Sequence, residues 1–136
     1  VVARWPGDSR RILEREWPAP LTAILPAAKT LRPALRPRNA VAVRIPAHDD
    51  LRRLIRLIGE PIVSTSVNRA GEEPMRSIAM IRKRYPFPAV LISRRGSRRR
   101  APSTIVDCTG AACVVVRKGS REEPVATAPA RVPTEG

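Results

Sequence analysis

Lysine is nearly missing from this chain: of 26 basic residues only Lys29, Lys83 and Lys118 are lysines, and the rest are arginines. Aromatic residues are as scarce, with Trp5, Trp17, Tyr85 and Phe87 making up 3% of the sequence. That scarcity argues against stacking of nucleic-acid bases on aromatic side chains as the main binding mode. The single histidine, His48, and the two cysteines, Cys108 and Cys113, lack the companions that a tetrahedral metal site needs. The cysteines read as reduced structural thiols, the usual state of small apolar thiols in an intracellular core. No apolar run approaches the roughly 20 residues that span a bilayer, and the N-terminus lacks the order of a signal peptide. A soluble, cytoplasmic protein with no membrane contact is the expectation. The chain starts on Val1 and runs almost at once into an amphipathic stretch, so it reads as part of something longer.

What is present is enough for one packed domain: 136 residues, 43% of them hydrophobic. The formal net charge of +14 has two readings. Arginine offers a planar fork of donors to phosphate oxygens, on a nucleotide or along an RNA backbone. Alternatively, a biased base composition writes arginine wherever a solvated cation suffices, and the charge by itself names no partner.

Helical periodicity at Ile12, Leu13 and Trp17, with Asp8 or Ser9 as cap, predicts a first helix ending before Pro18. Leu21 to Leu25 and Val41 to Ile45 read as strands closed by Pro26 and Pro46, with a Pro- and Arg-rich loop from Leu31 to Asn39 between them. Asp49 and Asp50 open the clearest helix. Leu51, Leu54, Ile55 and Ile58 share one face, Arg52, Arg53 and Arg56 lie on the wet face, and Gly59 stops it. Pro61 to Val63 continues as a strand, and a helix runs from Ser77 to about Tyr85. Ala89 to Ile92, Thr104 to Cys108 and Cys113 to Val116 read as strands, the last two joined by the turn at Thr109 and Gly110. Helices and strands in this order predict an α/β fold with a mixed sheet over residues 1–119. Residues 120–136, with Pro124, Pro129 and Pro133 and no periodicity, read as a disordered tail.

Three segments place hydroxyl, amide and guanidinium groups at apolar strand ends, where open α/β sheets bind ligands. They are Val41 to Pro46 with Arg44, Ser64-Thr65-Ser66-Val67-Asn68, and Pro102 to Asp107 with the later Val116-Arg117-Lys118-Gly119. An arginine such as Arg44 can take a carboxylate bidentately, and clustered hydroxyls and amides can take phosphate and ribose oxygens. Each segment also has an ordinary reading. Ser64 to Asn68 makes a locally capped turn, and Arg44 and Arg117 face water from an edge strand.

Together and in this order the segments resemble the YrdC-like family of threonylcarbamoyl-AMP synthases. Trp17-Pro18-Ala19-Pro20-Leu21-Thr22 resembles the family's WPGPLT, with Ala19 where glycine is usual. Val41 to Pro46 with His48 resembles VAVRxPxH, Pro61 to Gly71 resembles PxxxxSAN…G, Pro102 to Asp107 resembles PSTIVD, and Val116 to Gly119 resembles VRxG. The resemblance implies a YrdC-like twisted mixed sheet with flanking helices, incomplete at the N-terminus, because the family's upstream segment with its triphosphate-binding lysine and arginine is missing. It further implies a site for ATP, L-threonine and bicarbonate, with Mg2+ on the triphosphate. Arg44, Ser64 and Ser103 would contact threonine, and Ser66, Asn68 and Arg117 the nucleotide. No side chain is assigned as nucleophile or metal ligand. Loss of the upstream strands implies exposed apolar surface and an unpaired sheet edge. At Arg94 to Arg100 the sequence departs from the family's acidic, glycine-rich link, which suggests contact with tRNA or double-stranded RNA or else a solvated loop. A basic RNA-binding module that keeps the fold without the chemistry is the alternative function. A YrdC-like domain of a hydrogenase-maturation carbamoyltransferase is a third, though its zinc-finger-like and acylphosphatase-like neighbours are not in this sequence.

Overall fold

A computed structural model describes residues 1–69, 71–75, 77–85 and 102–119. The predicted strand at Ala89 to Ile92, the Arg94 to Arg100 segment and the tail 120–136 lie outside the described residues. Two compact units emerge, one built on Val1–Pro61 with residues 102–119, the other on the described residues from Ile62 to Tyr85.

In the first unit, helix α1 (Ser9–Glu16) leads through Trp17 into strand β1 (Leu21–Pro26). Two short 3-10 turns, Pro33–Leu35 and Pro37–Asn39, then bring the chain back as strand β2 (Ala40–Val43). Helix α2 (Asp49–Ile58) follows, and strands β3 (Thr104–Asp107) and β4 (Val114–Arg117) close the unit. The four strands form one sheet in the order β2-β1-β3-β4. β1 runs antiparallel to β2 and parallel to β3, and β3 runs antiparallel to β4, so the sheet is mixed.

The period-2 rule explains which face is the core. Along β1 the side chains of Leu21, Ala23 and Leu25 are fully buried while Thr22, Ile24 and Pro26 are half-buried on the other face. In β3, Thr104 and Val106 take the same buried side. Ile12 and Leu13 of α1 cover them, together with Ala19, Cys108 and Cys113. Full burial of side chains such as Leu13, Leu21 and Leu25 stabilises the fold by roughly 1.5–3 kcal/mol each. Trp17 joins this core at its margin and donates from Nε1 to the carbonyl of Leu21 at 2.9 Å, which ties the end of α1 to the start of β1.

Several expectations are corrected. Asp8 occupies the cap position of α1 but makes no side-chain cap bond, and its carboxylate instead reaches Arg11 at 3.4 Å. Ser9 is buried inside the helix. Helix α2 opens on Asp49 and Asp50 as expected, where the helix dipole favours negative charge, and His48 before them is the cap, its Nδ1 accepting from the Leu51 amide at 3.3 Å. Residues Pro61 to Val63 pair with no strand among the described residues, and all three are exposed. Their apolar character signalled a strand, yet among the described residues they have no ladder partner. The cysteines are not free thiols: Cys108 and Cys113 form a disulfide that closes the turn between β3 and β4. Both are buried, and the four-residue spacer folds back far enough to bring them together.

Other boundaries agree with the periodicity. Gly59 ends α2 in the left-handed region with φ of 76°, donating to the Ile55 carbonyl at 3.0 Å. In the second unit, helix α3 (Ile78–Arg84) is capped by Ser77, which accepts from the Met80 amide at 3.4 Å. An apolar surface is left open at one edge of the sheet. β4 is exposed along its whole length, with Val114 at 59% and Val116 at 55% exposure. Apart from the sheet, Leu57 of α2 is 76% exposed. Among the described residues no helix is long and apolar enough to cross a membrane.

Candidate functional site

At one end of the sheet the register sets polar residues side by side on the face away from the core. Thr22 of β1 is paired with Ile105 of β3, and Ile105 with Arg117 of β4. On the other side Ala23 pairs with Val43, so Arg44, one step further, falls in line with Thr22. The Ala19 amide donates to the Ile45 carbonyl at 3.1 Å, which keeps the chain after Arg44 beside the start of β1. Two guanidinium-bearing positions thus flank a half-buried threonine and isoleucine.

Ser103 immediately precedes β3 and sits among these residues. Its hydroxyl is 2.9 Å from Thr22 Oγ1, and its carbonyl accepts from Arg117 Nη2 at 3.0 Å. The neighbouring Thr104 is anchored twice: its amide donates to the Pro20 carbonyl at 3.0 Å, and its buried hydroxyl accepts from the Gly119 amide at 3.1 Å. Arg44 is exposed, and neither it nor Arg117 enters an ion pair among the described residues. Among the described residues, then, two arginines without ion-pair partners lie in one row with the hydroxyls of Thr22 and Ser103.

Three of the sequence-predicted residues, Arg44, Ser103 and Arg117, therefore meet at one sheet end. The other three belong to the second unit. There Asn68 donates from Nδ2 to the carbonyls of Arg69 and Glu72, at 2.9 Å each, and so staples a tight turn. The Met75 amide reaches back to the Val67 carbonyl at 2.9 Å and closes the loop. Asn68 Oδ1 is buried without a partner among the described residues. Ser64 and Ser66 stand exposed on the same loop, with hydroxyls open to solvent. Thr22 was not picked out as a site residue from sequence, although it stands in the Trp17 to Thr22 motif. Its signal was available: a polar residue at an alternating position of an otherwise apolar central strand.

Among the described residues no group of three or more His, Cys, Asp or Glu side chains is placed to hold a metal ion.

Comparison with known proteins places these observations. Residues 1–119 match the family model Sua5_yciO_yrdC, described as Telomere recombination. A threonylcarbamoyl-AMP synthase of Chromobacterium violaceum is 40% identical over 99 residues, covering 72% of this chain and 51% of that protein. One from Neisseria gonorrhoeae is 41% identical over 98 residues, covering 71% of this chain and 52% of the relative. Among solved structures, P. abyssi Sua5 complexed with L-threonine superposes with a TM-score of 0.71 at 29% identity, over 88% of this chain and 36% of that one. E. coli YciO gives 0.64 at 29% identity, over 82% of this chain and 55% of its own. The chain spans about half the length of the synthases it matches. Its mixed sheet with flanking helices is the YrdC-like fold, and the chain belongs to the Sua5, YciO and YrdC family of threonylcarbamoyl-AMP synthase relatives.

Proposed function

We propose that this chain carries the threonine and adenylate side of an L-threonylcarbamoyladenylate synthase, which serves the N6-threonylcarbamoyladenosine modification of tRNA. The observation that carries the reading is the row across the sheet end in which Arg44, Thr22, Ile105 and Arg117 are aligned, with Ser103 bonded to two of them. Family membership supplies the chemistry that such a row suits. Arg44 would hold the threonine carboxylate in a bidentate pair, with Ser103 in the same row; the Ser64 backbone, in the second unit, would contact threonine by the family's motif. By the family's motifs, Arg117 at the end of β4 would take nucleotide oxygens, and in the second unit Ser66, on the loop stapled by Asn68, would do the same.

In the reaction, the threonine amine attacks the carbon of bicarbonate with loss of water, or of carbon dioxide with loss of a proton to solvent, to give a carbamate. A carbamate oxygen then attacks the α-phosphorus of ATP, a new P–O bond forms, the α–β anhydride breaks, and pyrophosphate leaves with the electron pair. Attack at phosphorus by a nucleophile that the substrates themselves provide requires alignment and charge neutralisation more than a protein nucleophile. Arginines, hydroxyls and amides with no catalytic triad fit that demand.

The gene product that carries this sequence, given L-threonine, bicarbonate and ATP, is expected to release pyrophosphate in a threonine-dependent manner. Arg44→Ala should abolish that dependence. Pyrophosphate release indifferent to threonine would overturn the assignment. The second reading, a basic RNA-binding module, is favoured by the net charge of +14. It predicts tRNA binding that weakens steeply with salt and survives Arg44→Ala.

A further inference from the structure

Thr22 lies on the central strand of the sheet, flanked by β2 and β3, and its hydroxyl has one hydrogen-bond partner among the described residues, Ser103 Oγ at 2.9 Å. Ser103 is held at its carbonyl by Arg117 and at the next residue by the Thr104 to Pro20 bond, so its backbone is fixed. The rotation of its hydroxymethyl group about χ1 is the freedom that remains. A hydroxyl has one proton to give and two lone pairs to receive. Between Ser103 and Thr22 either oxygen can donate, and the ligand decides which does. A carboxylate drawn in by Arg44 brings acceptors only. Ser103 can bond to it only by giving up its proton, and Thr22 must then donate to Ser103 Oγ.

We propose that Thr22 is a positioning residue: its hydroxyl donates to Ser103 Oγ, fixes the Ser103 rotamer and leaves the Ser103 proton for a carboxylate oxygen of the bound amino acid. This rests on the functional reading above for the identity of the ligand, and on the structure alone for the Thr22 to Ser103 contact. Threonine suits the task better than serine. Its β-branch stiffens χ1 in a strand, so the donor direction is set by the backbone before any ligand arrives. Across the register on that face stands Ile105, half-buried beside Thr22.

Two measurements test this, and they fail separately. The first is made on the 136-residue chain without ligand. Three-bond NMR couplings of Ser103 should report one χ1 rotamer in the wild type and in Thr22→Ser, and rotamer averaging in Thr22→Val, which keeps the shape and removes the hydroxyl. A single Ser103 rotamer in Thr22→Val overturns the proposal, whatever the protein binds.

The second uses threonine-dependent pyrophosphate release by the gene product. Thr22→Val should raise KM for L-threonine about tenfold, as loss of one hydrogen bond of ~1–1.5 kcal/mol implies, with KM for ATP unchanged and Thr22→Ser restoring most of the loss. Ser103→Ala should show the same loss, and the double variant no further loss, because both act through one bond. Additive effects overturn the proposal. If the wild type shows no threonine dependence, it is the functional reading that falls, and the rotamer measurement still decides the role of Thr22. Should Thr22→Val fail to fold, Thr22→Ala, which also removes the hydroxyl, takes its place in both measurements.

Discussion

Replacing Gly119 by alanine puts a methyl group against backbone atoms of Pro102, Ser103 and Thr104. No rotamer change relieves a clash with backbone. Those atoms are also held in place, by the Thr104 amide to Pro20 bond at 3.0 Å and the Arg117 bond to the Ser103 carbonyl at 3.0 Å. The easiest relief is for residues 117–119 to peel away from β3, which gives up the Arg117 bond and the 3.1 Å bond from the Gly119 amide to Thr104 Oγ1. Two such bonds contribute about 1 kcal/mol each, the forced displacement costs about 1–3 kcal/mol, and the stiffer unfolded chain returns about 0.5–1 kcal/mol. The net expectation is a loss of about 2–4 kcal/mol. In a urea titration followed by circular dichroism, with a slope of about 2 kcal/mol/M, the midpoint should fall by about 1–2 M. Gly59→Ala is the internal control. Its φ of 76° strains any alanine, but no atom lies within 4 Å of the added carbon, so it should lose only about 1 kcal/mol. If Gly119→Ala loses no more than Gly59→Ala, the close approach of residues 117–119 to 102–104 is wrong, and with it the placement of Arg117 beside Ser103.

Thr104→Val removes the buried acceptor of the Gly119 amide and should destabilise by about 1–3 kcal/mol; Thr104→Ser should stay near the wild type in the same titration. His48→Ala removes the acceptor for the Leu51 amide and should cost α2 about 1 kcal/mol, with His48→Asn restoring it, read by hydrogen exchange at Leu51. Peptide mapping under non-reducing conditions should recover Cys108 and Cys113 on one linked peptide. Reduction should lower stability by ~2 kcal/mol, the loop-closure value for so short a ring, and an unchanged midpoint would contradict the linkage.

Local pattern made much of this fold legible. Periodic leucines and isoleucines located α2, the alternation in β1 separated a buried from an open face, and Gly59 marked a helix end. Elements whose fate depends on a distant partner were not legible in the same way. Pro61 to Val63 has strand composition but no neighbour to pair with among the described residues, so composition alone misled. The Cys108 and Cys113 pairing depends on how a turn folds back, which spacing leaves open. Of the candidate site, Arg44, Ser103 and Arg117 were found because a motif names them. Thr22 was passed over because its role exists only once β1 and β3 lie side by side. The sheet order β2-β1-β3-β4 is itself a long-range outcome that no window of the sequence contains.

The parallel pairing of β1 with β3 also sets when the site comes into being. Thr22 and Ser103 are 81 residues apart in the chain. As the polypeptide emerges from the ribosome, β1 and β2 can pair at once as neighbours, but the other edge of β1 waits until residues 104–107 have been made. Closing so long a loop is slow compared with forming the hairpin. Arg44 is therefore in place early and alone, and the hydroxyl pair is among the last contacts to form. A nascent chain stopped short of β3 would present a basic hairpin with an open apolar edge, a form suited to capture by a chaperone rather than to binding an amino acid.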